Sequence, residues 1–101
     1  LKSRKETELM AYAARVGLEI GADIIKIHPV GKLKDLKWAV KSAGKAKLVA
    51  AGGSKKSEKE FLKQVKNYID SGFSGLAVGR NVWQSKNPLE ITRKIKKIVF
   101  K

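Results

Sequence analysis

The stretch GADIIKIHPVG, from Gly21 to Gly31, decides the fold because the pattern of the chain changes within it. Its apolar run from Ala22 to Ile27 predicts a short strand, and Pro29 and Gly31 predict that the strand ends in a loop. Lys26 lies inside this run. Burying the charge of a lysine without a partner is costly, so Lys26 must be paired, neutral or used in chemistry.

The rest of the chain alternates between helical and strand patterns. Apolar residues spaced by three and four predict helices, and short apolar runs closed by glycine predict strands. The first helix is predicted at about residues 4–20, and its apolar face consists of Leu9, Tyr12, Ala13, Val16 and Ile20. Further helices are predicted at about residues 33–43, at 57–72 and from 88 onward, and strands at 22–27, 47–51 and 75–78.

This order of elements indicates the fold class. Helices and strands alternate with short connections, and the strands are apolar on both faces, which is typical of an α/β fold with a parallel sheet covered by helices. Three strands make a poor free-standing parallel sheet, because both edge strands leave hydrogen-bonding groups unpaired. We therefore expect residues 1–101 to form a single partial domain, which either belongs to a larger barrel or is completed by self-association as a homo-oligomer.

Composition narrows the possible chemistry. The net charge of +14 suggests an anionic partner, but lysines on helical faces are usually solvated, and few aromatic residues and no nucleic-acid motif argue against nucleic acid. With no cysteine and one histidine, disulfides, thiolate catalysis and a multi-histidine metal centre are excluded, so we expect no metal and no cofactor. Without an apolar run of membrane-spanning length or a signal-peptide pattern, we expect a cytoplasmic protein with no membrane partner.

Three motifs at the ends of successive predicted strands carry a family resemblance: GADIIKI at residues 21–27, AAGGSK at 50–55 and GLAVGRNVWQ at 75–84. In this order and spacing the chain resembles the archaeal-type class I fructose-bisphosphate aldolases, which are Schiff-base lyases with a (β/α)8 barrel. The resemblance extends over essentially the whole chain. It implies that the chain is the C-terminal part of a TIM barrel, with strands six, seven and eight and their helices, lacking the N-terminal half.

The resemblance also implies an activity and a set of site residues. Family members cleave fructose 1,6-bisphosphate to dihydroxyacetone phosphate and glyceraldehyde 3-phosphate, and Lys26 matches the lysine that forms the imine. Gly52, Gly53, Gly79 and Arg80 match the positions that hold the phosphate of the sugar substrate. The family takes its acid and base groups from the first half of the barrel, so we expect the isolated chain to be an incomplete enzyme.

Elementary chemistry agrees with these assignments. An apolar strand disfavours the ammonium form of a lysine, and strand alternation places Ile24, Lys26 and His28 on one face. Paired glycines let a backbone approach an anion closely, and an arginine offers a forked pair of donors. An extra helical turn is predicted at about residues 81–84. His28 is a candidate proton relay or a plain polar residue, whereas Trp38 and Trp83 are predicted to be packing residues.

Other interpretations stay open at this point. A related aldolase-type synthase of archaeal aromatic biosynthesis would share the same lysine. Deoxyribose-phosphate aldolase fits less well, because it has a lysine just before the Gly-Gly loop, where this chain has Val49 and Ala50. A non-catalytic half-barrel that binds phosphate or nucleic acid, or one of interest only for folding and assembly, would explain the charge and the open sheet. In those cases Lys26 would extend its stem to water at the end of a strand.

Overall fold

The computed structural model describes residues 2–100, and its elements follow the predicted order. The helices are α1 (Lys2–Glu19), α2 (Leu33–Ser42), α3 (Glu58–Ser71), α4 (Arg80–Trp83) and α5 (Pro88–Val99), and the strands are β1 (Ile24–Ile27), β2 (Lys47–Ala51) and β3 (Gly75–Ala77). Each predicted helix and strand is therefore confirmed, with its ends shifted by no more than two residues. Among the described residues, no helix is long and apolar enough to cross a membrane.

The three strands form one parallel sheet in the order β1-β2-β3. Lys26 is level with Val49, and Ala51 is level with Ala77. Because the strands run in the same direction, their carboxyl ends lie along one edge of the sheet, and the loops that leave those ends become neighbours. The parallel α/β arrangement predicted from the sequence is confirmed, and it brings the ends of the three motifs together.

Only one face of this sheet is covered by the described helices. Along β1, Ile25 and Ile27 are each 8% exposed, whereas Ile24 is 63% exposed and Lys26 is also on the exposed side. The buried face packs against α1, α2 and α3 through a cluster that includes Leu36, Leu48, Tyr68 and Phe73. A second cluster, Phe61, Val65 and Ile91, joins α3 to α5. The opposite face is open among residues 2–100.

Local signals explain where the helices begin and end. The Ser57 hydroxyl accepts the backbone N–H of Glu60 at 3.3 Å, which caps the start of α3 as the sequence pattern predicts. Gly72 ends the same helix with a φ of 108°, a left-handed conformation that glycine adopts without strain. Pro88 occupies the first turn of α5, where the missing N–H has no cost, and the Asn87 side chain caps that helix.

The face of α1 that packs against the sheet is not the one predicted from the sequence. The predicted face is exposed at all of its positions: Leu9, Tyr12, Ala13, Val16 and Ile20. The buried face instead carries Met10, Ala11 and Ala14, at 5%, 4% and 0% exposed. Small residues explain the difference, because they let the helix approach β1 closely: a Cβ on Gly17 would lie 2.7 Å from Cδ1 of Ile25.

Two neighbouring substitutions test which face of α1 supports the fold. Met10→Ala should lower the free energy of unfolding by about 2–5 kcal/mol, because it leaves a cavity in the core and removes the sulfur that accepts the Val30 N–H. Leu9→Ala, on the exposed face, should change it by no more than about 0.5 kcal/mol. Urea unfolding measures both, and a larger loss for Leu9→Ala would show that the other face carries the packing.

Candidate functional site

A groove of about 350 Å³ lies along the carboxyl edge of the sheet. We call it the edge groove. Its lining comes from the ends of all three strands and from α4: Lys26, His28, Ala51, Gly52, Gly53, Ala77, Gly79, Arg80 and Trp83. The five site residues predicted from the sequence, which come from three separate segments of the chain, therefore meet in one place.

The ionisable side chains of the edge groove are all basic. Lys26, His28 and Arg80 line it, and no carboxylate does so among the described residues. Lys55 and Lys56 lie two and three positions after Gly53. A concave surface lined by charges of one sign attracts ligands of the opposite sign, so the groove suits an anion.

Lys26 is the third residue of β1, and its side chain lies on the open face of the sheet. Its neighbours Ile25 and Ile27 face the helices, as the strand alternation predicts. The expected burial of Lys26 in apolar surroundings is wrong for the described chain, where this residue is exposed. The physical reason is that residues 2–100 supply no layer over this face, so water reaches the end of the side chain. His28, two residues further on, is exposed in the same groove.

The two glycines after β2 serve different purposes. The N–H of Gly52 donates to the carbonyl of Ala77 at 3.0 Å, and a Cβ on Gly52 would lie 3.1 Å from Cα of Val78. Gly52 therefore permits the close approach of two strand ends. A Cβ on Gly53 would have no atom within 4 Å, and its backbone N–H has no partner among residues 2–100. Gly53 thus presents its backbone to the groove, where a ligand oxygen can reach it.

Gly79 and Arg80 lie where β3 passes into α4. The carbonyl of Gly79 accepts the N–H groups of Val82 and Trp83, at 2.8 and 3.1 Å, which closes a single helical turn. The predicted extra turn is confirmed, and it begins at Arg80, one residue earlier than predicted. This turn places the exposed Arg80 in the lining of the edge groove, together with Lys26 and Gly53.

Asn81 is a structural residue of this site that the sequence did not reveal. Its side chain is buried, at 3% exposed. Its Oδ1 atom accepts the backbone N–H of Lys56 at 2.7 Å, and its Nδ2 atom donates to the carbonyl of Ser54 at 3.2 Å. The asparagine is part of the motif GRNVWQ. Its hydrogen-bond partners are 25 and 27 positions away in sequence, however, and no local pattern indicates such a contact.

The prediction that both tryptophans are packing residues is wrong, most clearly for Trp83. This side chain is 73% exposed and lines the edge groove. Trp38, on α2, is 45% exposed. Asn81 and Trp83 are two positions apart on α4, so their side chains point to different sides of this turn, and the buried asparagine leaves the tryptophan exposed.

Comparison with known proteins identifies the family. A family model described as DeoC/LacD family aldolase matches residues 1–85. The chain belongs to this aldolase family. Two of its relatives are named fructose-bisphosphate aldolase class 1. The one from Thermoproteus tenax is 48% identical over 94 residues, and the one from Halobacterium salinarum is 46% identical over 100 residues. A third relative, 2-amino-3,7-dideoxy-D-threo-hept-6-ulosonate synthase 1 from Archaeoglobus fulgidus, is 43% identical over 93 residues.

Solved structures of related aldolases confirm the fold class. The chain superposes on the crystal structure of an archaeal fructose 1,6-bisphosphate aldolase with a TM-score of 0.87 and 47% identity, covering 92% of this chain and 37% of the other. A structure of an archaeal fructose-1,6-bisphosphate aldolase with its catalytic lysine bound to a carbinolamine intermediate gives a TM-score of 0.89, with 45% identity over 94% of this chain and 38% of the other. These neighbours are TIM barrels, so the parallel β/α units described above match part of such a barrel.

Coverage of the relatives is partial. The chain is matched over 92%, 99% and 92% of its length by the Thermoproteus, Halobacterium and Archaeoglobus proteins, respectively. It spans 36%, 38% and 34% of those proteins. The chain therefore corresponds to little more than a third of the length of the relatives it matches.

The different environments of the two glycines predict different costs of substitution. Gly52→Ala should lower the free energy of unfolding by about 1–3 kcal/mol, because the new methyl group presses on the backbone of Val78. Gly53→Ala should change it by no more than about 0.5 kcal/mol, since its methyl group would enter open space. Urea unfolding of both variants checks this, and equal losses would contradict the assignment of Gly52 alone to packing.

Proposed function

We propose that this chain supplies the nucleophile and the phosphate-binding loops of a class I, Schiff-base aldolase that cleaves fructose 1,6-bisphosphate. The observation that carries the proposal is the edge groove, in which Lys26 shares one lining with Gly53 and Arg80. Relatives that are 46–48% identical and carry the name fructose-bisphosphate aldolase class 1 support this substrate. A solved structural neighbour that is 46% identical is a Schiff-base-forming fructose-1,6-bisphosphate aldolase, which supports the imine chemistry.

The groove suits a ketone that carries a phosphate at one end. Backbone N–H groups at Gly53 and in the Gly79 turn, with the guanidinium of Arg80, would hold the phosphate oxygens through charge-assisted hydrogen bonds. Gly52 would contribute by letting the loop approach β3 closely, since its own N–H is bonded to Ala77. With the phosphate end held there, Lys26 would reach the carbonyl carbon of the ketone. A TIM barrel ordinarily binds its ligands at the carboxyl ends of its strands, with phosphate at the loops after the seventh and eighth strands.

Lys26 would act by forming a covalent bond with the substrate. Its neutral amine adds to the carbonyl carbon, and loss of water gives an iminium ion. The iminium then accepts the electron pair of the breaking carbon–carbon bond, which leaves an enamine on Lys26 and releases the aldehyde. Protonation of the enamine and hydrolysis return the free lysine and dihydroxyacetone phosphate. These steps need no metal and no cofactor.

His28, which lines the edge groove, is a candidate proton relay, but the family resemblance assigns the acid and base groups of these steps to strands outside this chain. We propose that they lie on a further part of the barrel, which would cover the open face of the sheet. Exposed apolar residues support this completion: Ile24, 63% exposed, lies on the open face, and Leu9, 56% exposed, lines a cavity beside Lys26 at the edge strand β1. Such a layer would also exclude water from Lys26 and favour its neutral amine. Residues 1–101 would then be one part of a cytoplasmic aldolase that assembles as a homo-oligomer, or that completes its sheet by self-association.

A related synthase is the second candidate. The Archaeoglobus fulgidus protein, 43% identical, is named for the formation of 2-amino-3,7-dideoxy-D-threo-hept-6-ulosonate, and a lysine in the same position would suit a reaction of that class. The two candidates are separated by assaying fructose 1,6-bisphosphate cleavage against formation of that product. We favour the aldolase because both of its named relatives are more similar to the chain.

Trapping the imine tests the role of Lys26. The chain, alone and fused to the part of the Thermoproteus tenax relative that it does not match, is incubated with dihydroxyacetone phosphate and borohydride. Borohydride reduces an imine to a stable secondary amine, so mass spectrometry should find one adduct at Lys26 in the fused protein. Lys26→Met should abolish it.

Lys47→Met is the matched control. Lys47 is an exposed lysine at the start of the neighbouring strand, level with Ile24 and away from the edge groove. This variant should give the same adduct yield as the unaltered protein. An adduct that persists in Lys26→Met, or that is lost in Lys47→Met, would overturn the assignment.

The affinity for inorganic phosphate tests the proposed role of Arg80. In the fused protein, Arg80→Ala should weaken the binding of inorganic phosphate by at least about tenfold, because a charge-assisted pair of hydrogen bonds is lost. Arg93→Ala, which removes an exposed arginine from α5, should leave the affinity unchanged. Isothermal titration calorimetry measures both. If the two variants lose the same affinity, phosphate binding depends on net charge and not on the edge groove, which would contradict the role of Arg80.

A further inference from the structure

The loop that follows β2 is held at its two ends, where the N–H of Gly52 donates to the carbonyl of Ala77 and Ser57 caps α3, but little holds its middle in place. We call residues 52–57 the glycine loop; it contains no helix or strand. It lies between the edge groove and a second cavity of about 150 Å³, and Gly52 and Gly53 line both. Gly53, Ser54 and Lys55 are exposed. A loop with open space on two sides and exposed residues is free to move unless a specific contact fixes it.

Asn81 supplies such a contact. Its buried side chain joins α4 to the glycine loop through the N–H of Lys56 and the carbonyl of Ser54. A peptide unit is planar, with its C=O and N–H pointing in opposite directions. The carbonyl of Ser54 points to Asn81, so the N–H of Lys55 points away from it. Two peptide units of the loop backbone are thereby fixed by one side chain.

The chemistry of the contact requires an amide side chain. One partner is a backbone donor and the other is a backbone acceptor, and a planar amide, as in Asn or Gln, presents both an acceptor and a donor from one group. A carboxylate would repel the carbonyl of Ser54 and would bring a negative charge to an anion site. Asn81 is therefore suited to fixing the loop without adding charge to the groove.

We propose that Asn81 is a positioning residue for phosphate binding. It holds the glycine loop next to the turn that contains Gly79 and Arg80, so that this loop and this turn bind the same phosphate. This inference rests on the proposed function and extends it to a residue that does not line the edge groove. Asn81 follows Arg80 directly in the chain, so one short segment carries a phosphate-binding side chain and the link that positions the opposite loop.

If Asn81 positions the glycine loop for phosphate, its loss should have an effect that a residue needed only for stability would not show. Without the Asn81 contact the middle of the glycine loop is free to move, and only the phosphate end of the substrate should be affected. In the fused protein, Asn81→Ala should weaken inorganic phosphate binding by about tenfold, the change expected for losing two neutral hydrogen bonds. The yield of the Lys26 adduct should fall by a similar factor with dihydroxyacetone phosphate at subsaturating concentration, and it should be unchanged with dihydroxyacetone, which has no phosphate.

The control variant is Asn67→Ala, which removes an exposed asparagine from α3 and should alter the adduct yield with neither ketone. Equal losses with both ketones in Asn81→Ala, or no loss with either, would overturn the proposal. A failure of the proposed function looks different, since the unaltered protein would then form no Lys26 adduct with either ketone, while the phosphate affinities of the two variants would still report on Asn81.

A second measurement covers the case in which Asn81→Ala does not fold. Coupling between two sites is reciprocal, so if the Asn81 contact favours phosphate, phosphate must favour the contact. Saturating inorganic phosphate should therefore slow hydrogen exchange at the Lys56 amide of the unaltered fused protein by about tenfold. Unchanged exchange at Lys56 under saturating phosphate would also overturn the proposal.

Discussion

Parallel hydrogen bonding between β1, β2 and β3 is the constraint on which the site depends. It sets Lys26 level with Val49 and Ala51 level with Ala77, so three chain segments that are distant in sequence end at one edge. Lys26, Gly53 and Arg80 each lie at or just beyond a strand end. A shift of one residue in any strand would turn its side chains to the other face and separate these groups.

The two faces of the sheet divide the roles of stability and chemistry. Ile25, Ile27 and Leu48 point to the helices and build the core, while Ile24 and Lys26 on the opposite side are exposed. Alternation along a strand therefore lets a lysine lie between two core isoleucines without being buried by them. The reactivity proposed for Lys26 depends on a further layer of the barrel that would cover this face and exclude water. The described residues stabilise the sheet from one side and leave that face open.

Much of this fold could be predicted because its signals are local. Gly72, Ser57 and Pro88 mark helix ends through their own backbone and side-chain chemistry, and the alternation around Lys26 needs only the strand to be recognised. Other features depend on distant contacts and were predicted wrongly or not at all. Small residues decide which face of α1 meets the sheet, Trp83 points to a different side of α4 from the buried Asn81, and the contact from Asn81 to Lys56 spans 25 positions. The five predicted site residues rest on motifs, and the parallel register brings them into one groove.

A crystal structure of the fused protein, after reduction with borohydride in the presence of dihydroxyacetone phosphate, tests the central claim most directly. The claim is that one groove holds both ends of the substrate. The account predicts continuous electron density from Nζ of Lys26 to the second carbon of the ligand, with the phosphate between the backbone of Gly53 and the guanidinium of Arg80. An adduct on another lysine, or a phosphate bound away from these two loops, would contradict it.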